Sequence, residues 1–176
     1  LSLGQDVWWR KRLVGALRPE PGHPVLDLAC GTLDVGLECR RRYPDNPVLE
    51  AADIPYPATL IFNAGVTKYQ GRYVMVFRND YGGTPGDDHF EGTNMGVAFS
   101  DDGITWEPQT APWIEWQDQE IRRAYDPRLT VIDGRCYLCF AVDTHHGIRG
   151  GIAVTDDFDA WEVLSLSAPD NRNMVL

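Results

Sequence analysis

The sequence predicts a mainly β protein, part of a β-propeller preceded by a short α/β leader. Three observations predict this fold class. Beyond about residue 40 the chain reads almost entirely as strands and turns, a strand pattern of about 50 residues occurs twice, and helix-like spacing is confined to the start of the chain. Propellers repeat four-stranded sheets around a channel, and sequence periods of this length are typical of them. We therefore divide the chain into a leader, residues 1–39, and a propeller part, residues 40–176.

The leader combines a helix-like segment with a strand and a glycine turn. Residues 6–17 place tryptophan and leucine at helical spacing, and residues 24–36 read as a short apolar strand that runs into small residues. In α/β folds such a turn offers backbone N–H groups to a nucleotide cofactor. The leader is therefore predicted to be an incomplete Rossmann-type fragment, because the later strands and helices of such a domain have no counterpart in the sequence.

Residues 1–6, LSLGQD, and residues 25–32, VLDLACGT, resemble the start of the class I S-adenosylmethionine-dependent methyltransferases of ubiquinone and menaquinone biosynthesis. Two departures stand out. Leu33 replaces a family glycine, whose missing side chain lets the cofactor approach the backbone, and the pattern ends near Glu38. We expect a remnant of such a domain without methyltransferase activity.

Two constant offsets define the repeat in the propeller part. Residues 129–135 match residues 66–72 at an offset of 63, and residues 151–157 match residues 96–102 at an offset of 55. The offsets differ because the first copy has a longer loop, at residues 81–93. We predict two blades and the start of a third, in a chain that stops mid-fold and needs no helix after residue 40. An antiparallel sandwich with chance internal similarity is the alternative.

Composition and charge exclude several partners. The chain of 176 residues is 43% hydrophobic, carries a net charge of −10 and has a sequence pI of about 4.7, which disfavours nucleic acid and anionic membranes. It has no apolar run of about 18 residues and no basic-then-apolar signal pattern at its start. We expect a cytoplasmic protein, which could form a homo-oligomer.

The spacing of cysteine and histidine argues against a metal or redox centre. Cys136 and Cys139 lie within a strand pattern, where side chains three positions apart face opposite ways, so we expect buried, reduced thiols. The adjacent His145 and His146 also face opposite ways on a strand. Residues 101–103 lack the spaced acids of a calcium loop and read as a hairpin turn. We predict no metal site.

Polar clusters fall at equivalent strand ends. Asn63 precedes the first hairpin and residues 78–80 follow it, while residues 125–128 precede the second hairpin and Asp143 follows it. Residues 170–173 open the predicted third blade. Repetition at the same blade position predicts one shared pocket at an end of the propeller channel, where loops carry function on a rigid scaffold.

Asp126 is the leading catalytic candidate. It lies between an aromatic residue and a proline, and Arg122, Arg123 and Arg128 surround it in sequence. A carboxylate in a stiff turn with several nearby charges is typical of a functional group. The alternative is an aspartate that only caps the turn. A general acid must keep its proton near neutral pH, and neighbouring arginines oppose this because they favour the carboxylate.

The propeller part resembles glycoside hydrolase family 130, whose members are five-bladed propellers that act on β-mannosides. Within that family it looks most like the 4-O-β-D-mannosyl-D-glucose phosphorylase group. The resemblance covers some three-quarters of the chain without interruption. It is densest at residues 63–65, 76–80, 92–94, 122–129 and 169–173.

What the resemblance implies is inverting phosphorolysis of mannosyl-glucose, in which inorganic phosphate attacks the anomeric carbon and α-mannose 1-phosphate and glucose are released. It requires no cofactor, because phosphate is a co-substrate. Asp126 matches the acid that protonates the leaving oxygen through a sugar hydroxyl, and Arg172 and Asn173 match phosphate ligands. The implied substrate-binding residues are Asn63, Arg78, Asn79, Asp80, Tyr125, Arg128 and Asp143.

Three alternatives remain open at this point. A β-mannoside hydrolase of the same family would lack the phosphate-gripping arginines, which Arg172 argues against. A non-catalytic, carbohydrate-binding propeller piece fits the missing blades. A methyltransferase is opposed by Leu33. For a fragment of a propeller we expect little or no activity.

Overall fold

The computed structural model describes residues 47–84 and 89–171, together with leader residues 8, 11–13, 15 and 16, which are helical. Two four-stranded antiparallel sheets each consist of consecutive strands in chain order. This is the architecture of propeller blades, and it confirms the predicted fold class. The first sheet contains β1 (Leu60–Tyr69), β2 (Arg72–Tyr81), β3 (Gly92–Ser100) and β4 (Glu107–Pro108); the second contains β5 (Ile121–Ile132), β6 (Arg135–Thr144), β7 (Gly147–Thr155) and β8 (Glu162–Leu166).

Some predicted features lie outside the described residues. These are the strand and glycine turn at residues 24–36, and the two phosphate-ligand candidates Arg172 and Asn173. The blade number of five and the boundary between residues 39 and 40 stay predictions.

The two sheets repeat at the offsets found in the sequence. Arg72 and Arg135 begin two ten-residue strands, β2 and β6, at an offset of 63. Gly92 and Gly147 begin two nine-residue strands, β3 and β7, at an offset of 55. The extra length in the first copy lies between β2 and β3, as predicted. The internal similarity therefore reflects two copies of one sheet.

Each leading hairpin closes with a tight turn of the same type. Gln70 and Gly71 have φ values of 49° and 90°, and Asp133 and Gly134 have values of 50° and 79°. Positive φ at both central residues is the type I′ geometry that matches the twist of the flanking strands. Because loop length and turn type fix strand register, these turns determine which side chains of β1 and β2, or of β5 and β6, lie together.

The core lies between the two sheets, and Phe158 is at its centre. This residue, in the loop after β7, is only 1% exposed. Its ring meets Tyr69 and Phe99 of the first sheet edge-on, at centroid distances of 5.8 and 5.9 Å, and lies 5.3 Å from the Trp113 ring. One side chain of the second repeat thus fills the space against the first.

The outer face of the first sheet is covered by residues 47–58, where Leu49 and Ile54 join a second buried cluster. The sequence predicts no helix after residue 40. The structure forms one short 3₁₀ turn here, Ala51–Asp53, closed by a hydrogen bond from the Glu50 backbone N–H to the Asp53 carboxylate. A single carboxylate reaching back three residues is enough to close such a turn.

An aspartate organises the loop after the third strand of each sheet. Asp102 Oδ1 accepts the N–H groups two and three residues further on, both at 2.7 Å. Asp157 does the same at 2.9 and 3.1 Å. These backbone hydrogen bonds hold the pKa of Asp102 at about 2 and lower the pKa of Asp157 below its usual range. Both residues are therefore turn formers, as the sequence predicts.

Cys136 and Cys139 are both buried, as predicted. Burial raises the pKa of the Cys136 thiol to about 11, so it stays neutral near pH 7. Among the described residues, no three His, Cys, Asp or Glu side chains are grouped closely enough to hold a metal ion. In the same part of the chain, no helix is long and apolar enough to cross a membrane.

We expect Phe158→Ala to lower the free energy of unfolding by about 3–5 kcal/mol, because it removes a buried ring between the sheets and leaves a cavity. Urea denaturation followed by tryptophan fluorescence measures the loss. Leu164→Ala is the control, since Leu164 is 49% exposed and should change stability by about 0.5 kcal/mol or less. Equal effects of the two substitutions would contradict the placement of Phe158.

The pKa of Asp102 predicts a pH effect with a definite sign. Because its folded pKa, about 2, lies below the usual 3.8, its hydrogen bonds stabilise the fold above the unfolded pKa. That contribution is lost as the pH falls toward about 2. Stability measured between about pH 4 and 2 should therefore fall less steeply in Asp102→Asn than in the parent chain. Identical slopes would show that these hydrogen bonds do not act in solution.

Candidate active site

Two β-bulges place Asn63 and Asp126 face to face. The β1–β2 register shifts between Phe62 and Gly65, and the β5–β6 register shifts between Tyr125 and Arg128. At these bulges Asn63 has a φ of 50° and Asp126 a φ of 57°, a left-handed conformation that Asn and Asp tolerate better than other side chains. Asn63 Nδ2 donates to Asp126 Oδ1 at 2.7 Å.

A glycine permits this approach. A β-carbon on Gly65 would lie 3.0 Å from the Arg128 Cα, the Leu129 N and the Pro127 O. That spacing is tighter than ordinary van der Waals contact. Strands β1 and β5 can therefore come this close only because residue 65 has no side chain, and the bulged residues next to it meet across the boundary between the sheets.

Arg78 lies between two aromatic rings beside this pair. Its guanidinium carbon is 4.7 Å from the Phe62 ring centroid and 4.9 Å from that of Tyr125. Two hydrogen bonds, of 2.9 and 2.8 Å, join it to the Asp80 carboxylate, and Nη1 lies 3.7 Å from Asp126 Oδ1. This packing and bidentate pairing hold Arg78 in one orientation, with its positive charge between two acids.

Asp143 occupies in the second sheet the place that Asp80 has in the first. Arg123 Nε donates to Asp143 Oδ2 at 2.6 Å, and the Tyr125 hydroxyl donates to Asp143 Oδ1 at 2.6 Å. The Arg123 guanidinium also stacks on the Tyr125 ring at 5.3 Å. Since both Asp143 oxygens hold protein donors, this carboxylate fixes the orientation of Tyr125.

The structure directs the arginines near Asp126 in sequence to other groups. Arg128 Nη1 donates to the carbonyl oxygens of Asn63 and Pro127, at 3.2 and 2.7 Å. Arg122 contacts the His145 ring at 3.1 Å. The cation 3.7 Å from the acid, Arg78, comes from the other sheet. Proximity in the sequence gave no indication of Arg78, because its side chain meets Asp126 through packing between the sheets.

Asn79 is set apart from the other predicted site residues. It is fully buried, and its amide nitrogen donates to the Pro57 carbonyl and to Asn94 Oδ1, both at 3.0 Å. Successive strand side chains face opposite ways, so its neighbours Arg78 and Asp80 reach the site while Asn79 supports the strand from behind. The site thus brings together Asn63, Arg78, Asp80, Tyr125, Asp126, Arg128 and Asp143.

Three residues that were not predicted as catalytic or substrate-binding take part in the site. Phe62 stacks on Arg78, Arg123 holds Asp143, and Thr93 Oγ1 donates to Asp80 Oδ1 at 2.7 Å. The repeat offset of 63 could have indicated Phe62, because it makes Phe62 the counterpart of the predicted site residue Tyr125. No local pattern indicated the Thr93 contact, which depends on the pairing of β2 with β3.

The arrangement suits acid catalysis at a sugar. The Asp126 side chain is 15% exposed, so it is largely sheltered from water but can still be reached by a ligand. Asp80 pairs with Arg78 through two hydrogen bonds, so the positive charge nearest to Asp126 is itself paired with an acid. A carboxylic acid that protonates the leaving oxygen is one of the groups that glycoside-cleaving sites use.

Comparison with known proteins identifies the family. The model of glycoside hydrolase family 130, described as beta-1,4-mannooligosaccharide phosphorylase, matches residues 38–174. The chain belongs to this family, which includes mannoside phosphorylases and hydrolases. The resemblance found in the sequence is therefore confirmed for the propeller part.

Solved structures share the fold at low identity. A beta-1,2-mannobiose phosphorylase from Listeria innocua is similar with a TM-score of 0.59 and 17% identity, over 69% of this chain and 49% of that one. A family 130 glycoside hydrolase that targets beta-1,2 mannosidic linkages in Candida mannan has a TM-score of 0.58 and 22% identity, over 68% of this chain and 38% of that one. A glycosyl hydrolase from Bacteroides ovatus has a TM-score of 0.52 and 23% identity, over 61% of this chain and 31% of that one. The chain spans about half or less of each of these structures.

The methyltransferase resemblance is local. The demethylmenaquinone methyltransferase of Mycobacterium tuberculosis is 62% identical over 32 residues, which is 18% of this chain and 14% of that enzyme. The ubiquinone/menaquinone biosynthesis C-methyltransferase of Geobacter sulfurreducens is 35% identical over 77 residues, 43% of this chain and 30% of that enzyme. The chain spans less than a third of either.

We expect Asp143→Ala to lower the free energy of unfolding by about 1–3 kcal/mol, because the Tyr125 hydroxyl and Arg123 lose their acceptor. Asp156→Ala is the matched control. It removes the aspartate–arginine pair with Arg135, at 2.9 Å. Because the acid of this pair is 60% exposed, we expect a smaller loss. Chemical denaturation measures both, and a larger loss in Asp156→Ala would contradict a fixing role for Asp143.

Proposed function

We propose that this chain carries the acid-bearing part of a mannoside phosphorylase. The reaction is inverting phosphorolysis of β-1,4-linked mannosyl-glucose to α-mannose 1-phosphate and glucose, with Asp126 as the acid and no cofactor. The observation that carries the proposal is the hydrogen bond of 2.7 Å that holds Asp126 against Asn63 between the two sheets. Membership of a family that includes mannoside phosphorylases supports the substrate class.

The pairing of the other carboxylates supports phosphorolysis over hydrolysis. An inverting hydrolase needs a second carboxylate to activate water, whereas phosphate is already a nucleophile. Within the described part of the site, Asp80 is bonded to Arg78 and Thr93, and Asp143 to Arg123 and Tyr125. Neither carboxylate is arranged to take a proton from water. A hydrolase remains the second candidate, because two of the structural relatives reported above are described as hydrolases.

The proposed step balances with one acid. A phosphate oxygen forms a bond to the anomeric carbon of mannose as the bond to the glucose O4 breaks. The proton of Asp126 passes through a sugar hydroxyl to that oxygen, and glucose leaves.

The remaining predicted residues receive roles in the same scheme. Asn63 and Arg78 line the cleaved bond, and Asp80 and Arg128 lie beside them as further sugar contacts. Arg172 and Asn173, outside the described residues, are proposed phosphate ligands, since a planar guanidinium pairs well with phosphate.

We expect Asp126→Asn to lower kcat for mannosyl-glucose by about 10²–10⁴, because general-acid assistance is lost while the amide keeps the shape of the side chain. The measurement is phosphate-dependent release of glucose and mannose 1-phosphate. The chain spans about half or less of the solved relatives. The assay therefore uses the protein expressed from the whole open reading frame that encodes this chain.

Asp156→Asn is the control, because it makes the same change at an exposed turn away from the site and should leave turnover intact. Release of glucose at the same rate without phosphate would contradict phosphorolysis and favour the hydrolase. Unchanged turnover in Asp126→Asn would remove Asp126 from the role of acid.

A further inference from the structure

The two aspartates of the site, Asp80 and Asp143, are equivalent in the repeat, but different strands supply their donors. Asp143 is held from the first strand of its sheet. Arg123 lies across from it in the β5–β6 register with Nε 2.6 Å from Oδ2, and the Tyr125 hydroxyl lies 2.6 Å from Oδ1. Its partner in the third strand is Ile148, whose side chain has no hydrogen-bonding group.

Asp80 is held from its own strand and from the third strand instead. The first-strand counterparts are Leu60, which lies across from it in the β1–β2 register, and Phe62, and neither side chain has a donor. Arg78 supplies the guanidinium at 2.9 and 2.8 Å, and Thr93, its partner in the β2–β3 register, supplies a hydroxyl at 2.7 Å. Each aspartate thus has a guanidinium and a hydroxyl, but from different repeat positions.

This difference decides which arginine lies beside the acid. The Arg123 side chain is 45% exposed and stacks on Tyr125 of its own strand. The Arg78 side chain is only 15% exposed, because it crosses to the neighbouring sheet, with Nη1 3.7 Å from Asp126 Oδ1. Its direction depends on how Asp80 is held, since that carboxylate binds it through two hydrogen bonds.

The hydroxyl of Thr93 anchors Asp80 to the sheet. Asp80 is 2% exposed and Thr93 is 8% exposed, so this carboxylate depends on donors from the protein. Its Oδ1 accepts from both Thr93 Oγ1 and Arg78 Nε. Arg78 alone would leave the carboxylate and guanidinium able to turn together, because both belong to one strand. A donor on β3 removes this freedom.

We propose that Thr93 is a positioning residue of the site. Its hydroxyl fixes the Asp80 carboxylate from β3, and this carboxylate orients Arg78 beside Asp126. Thr93 itself touches no substrate in this scheme. The proposal rests on the proposed function in one respect, which is that Arg78 contacts the sugar at the cleaved bond.

The kinetic test compares Thr93→Val with the parent protein, both expressed from the whole open reading frame. Valine keeps the shape of the side chain and removes the hydroxyl. We expect the KM for mannosyl-glucose to rise about ten-fold, because Arg78 no longer presents its donors to the sugar in one orientation. A variant that only unfolds more easily has fewer active molecules, which lowers kcat and leaves KM unchanged.

Two further variants isolate the hydroxyl group. Thr93→Ser keeps the donor and should hold the KM for mannosyl-glucose within about two-fold of the parent value. Thr105→Val is the matched control. It also removes a threonine hydroxyl from an aspartate, Asp102 Oδ2 at 3.2 Å, but in an exposed turn away from the site, so the KM should not change.

Hydrogen exchange at Arg78 tests the positioning without any assay of activity. In the ¹⁵N-labelled 176-residue chain, the Nε–H of Arg78 is bonded to Asp80 at 2.9 Å and should exchange slowly with water. Its signal is identified by its loss in Arg78→Lys. We expect Thr93→Val to accelerate this exchange about ten-fold, whereas Thr93→Ser and Thr105→Val should leave it slow.

The outcomes separate this proposal from the proposed function. An unchanged exchange rate in Thr93→Val would overturn the positioning role, and so would a lower kcat with an unchanged KM. Equal defects in Thr93→Val and Thr93→Ser would also overturn it, because the hydroxyl would not be responsible. If the parent protein fails to cleave mannosyl-glucose, the proposed function is wrong, and the exchange rate of Arg78 alone then decides whether Thr93 positions it.

Discussion

The hydrogen bond between Asn63 and Asp126 is the contact on which the site depends. It joins equivalent positions of two repeats, each at a bulge and each in the left-handed conformation. Three features position it: the type I′ turns that fix both hairpin registers, the missing side chain of Gly65, and the buried ring of Phe158 between the sheets. A change in any of them would move the acid relative to its partner.

Equivalent residues of the two repeats make different contacts. Asp80 and Asp143 are equivalent, yet Asp80 holds an arginine two residues away on its own strand, whereas Asp143 holds Arg123 across the hairpin. Asn63 is likewise the counterpart of Asp126. An amide in one copy and a carboxyl group in the other turn a structural repeat into a donor–acceptor pair, so the two copies differ at this one repeat position in the way that the proposed acid requires.

Much of this fold was readable from the sequence because it repeats. The offsets of 63 and 55 located the β2–β6 and β3–β7 strand pairs, and the family motifs marked the polar strand ends. Contacts between the sheets were not readable. Arg123 and Arg128 stood next to Asp126 in sequence, but the arginine 3.7 Å from it is Arg78, because packing between sheets has no local sequence pattern. For the same reason, burial of Asn79 became visible only in the structure.

A double-mutant cycle on Asn63 and Asp126 tests the central claim most directly. The free energy of unfolding is measured for Asn63→Ala, for Asp126→Ala and for the double variant. A direct hydrogen bond to a carboxylate between the repeats predicts a coupling energy of about 1–2 kcal/mol. Additive effects, with a coupling below about 0.3 kcal/mol, would show that the two residues do not interact and would contradict this account of how the repeats build the site.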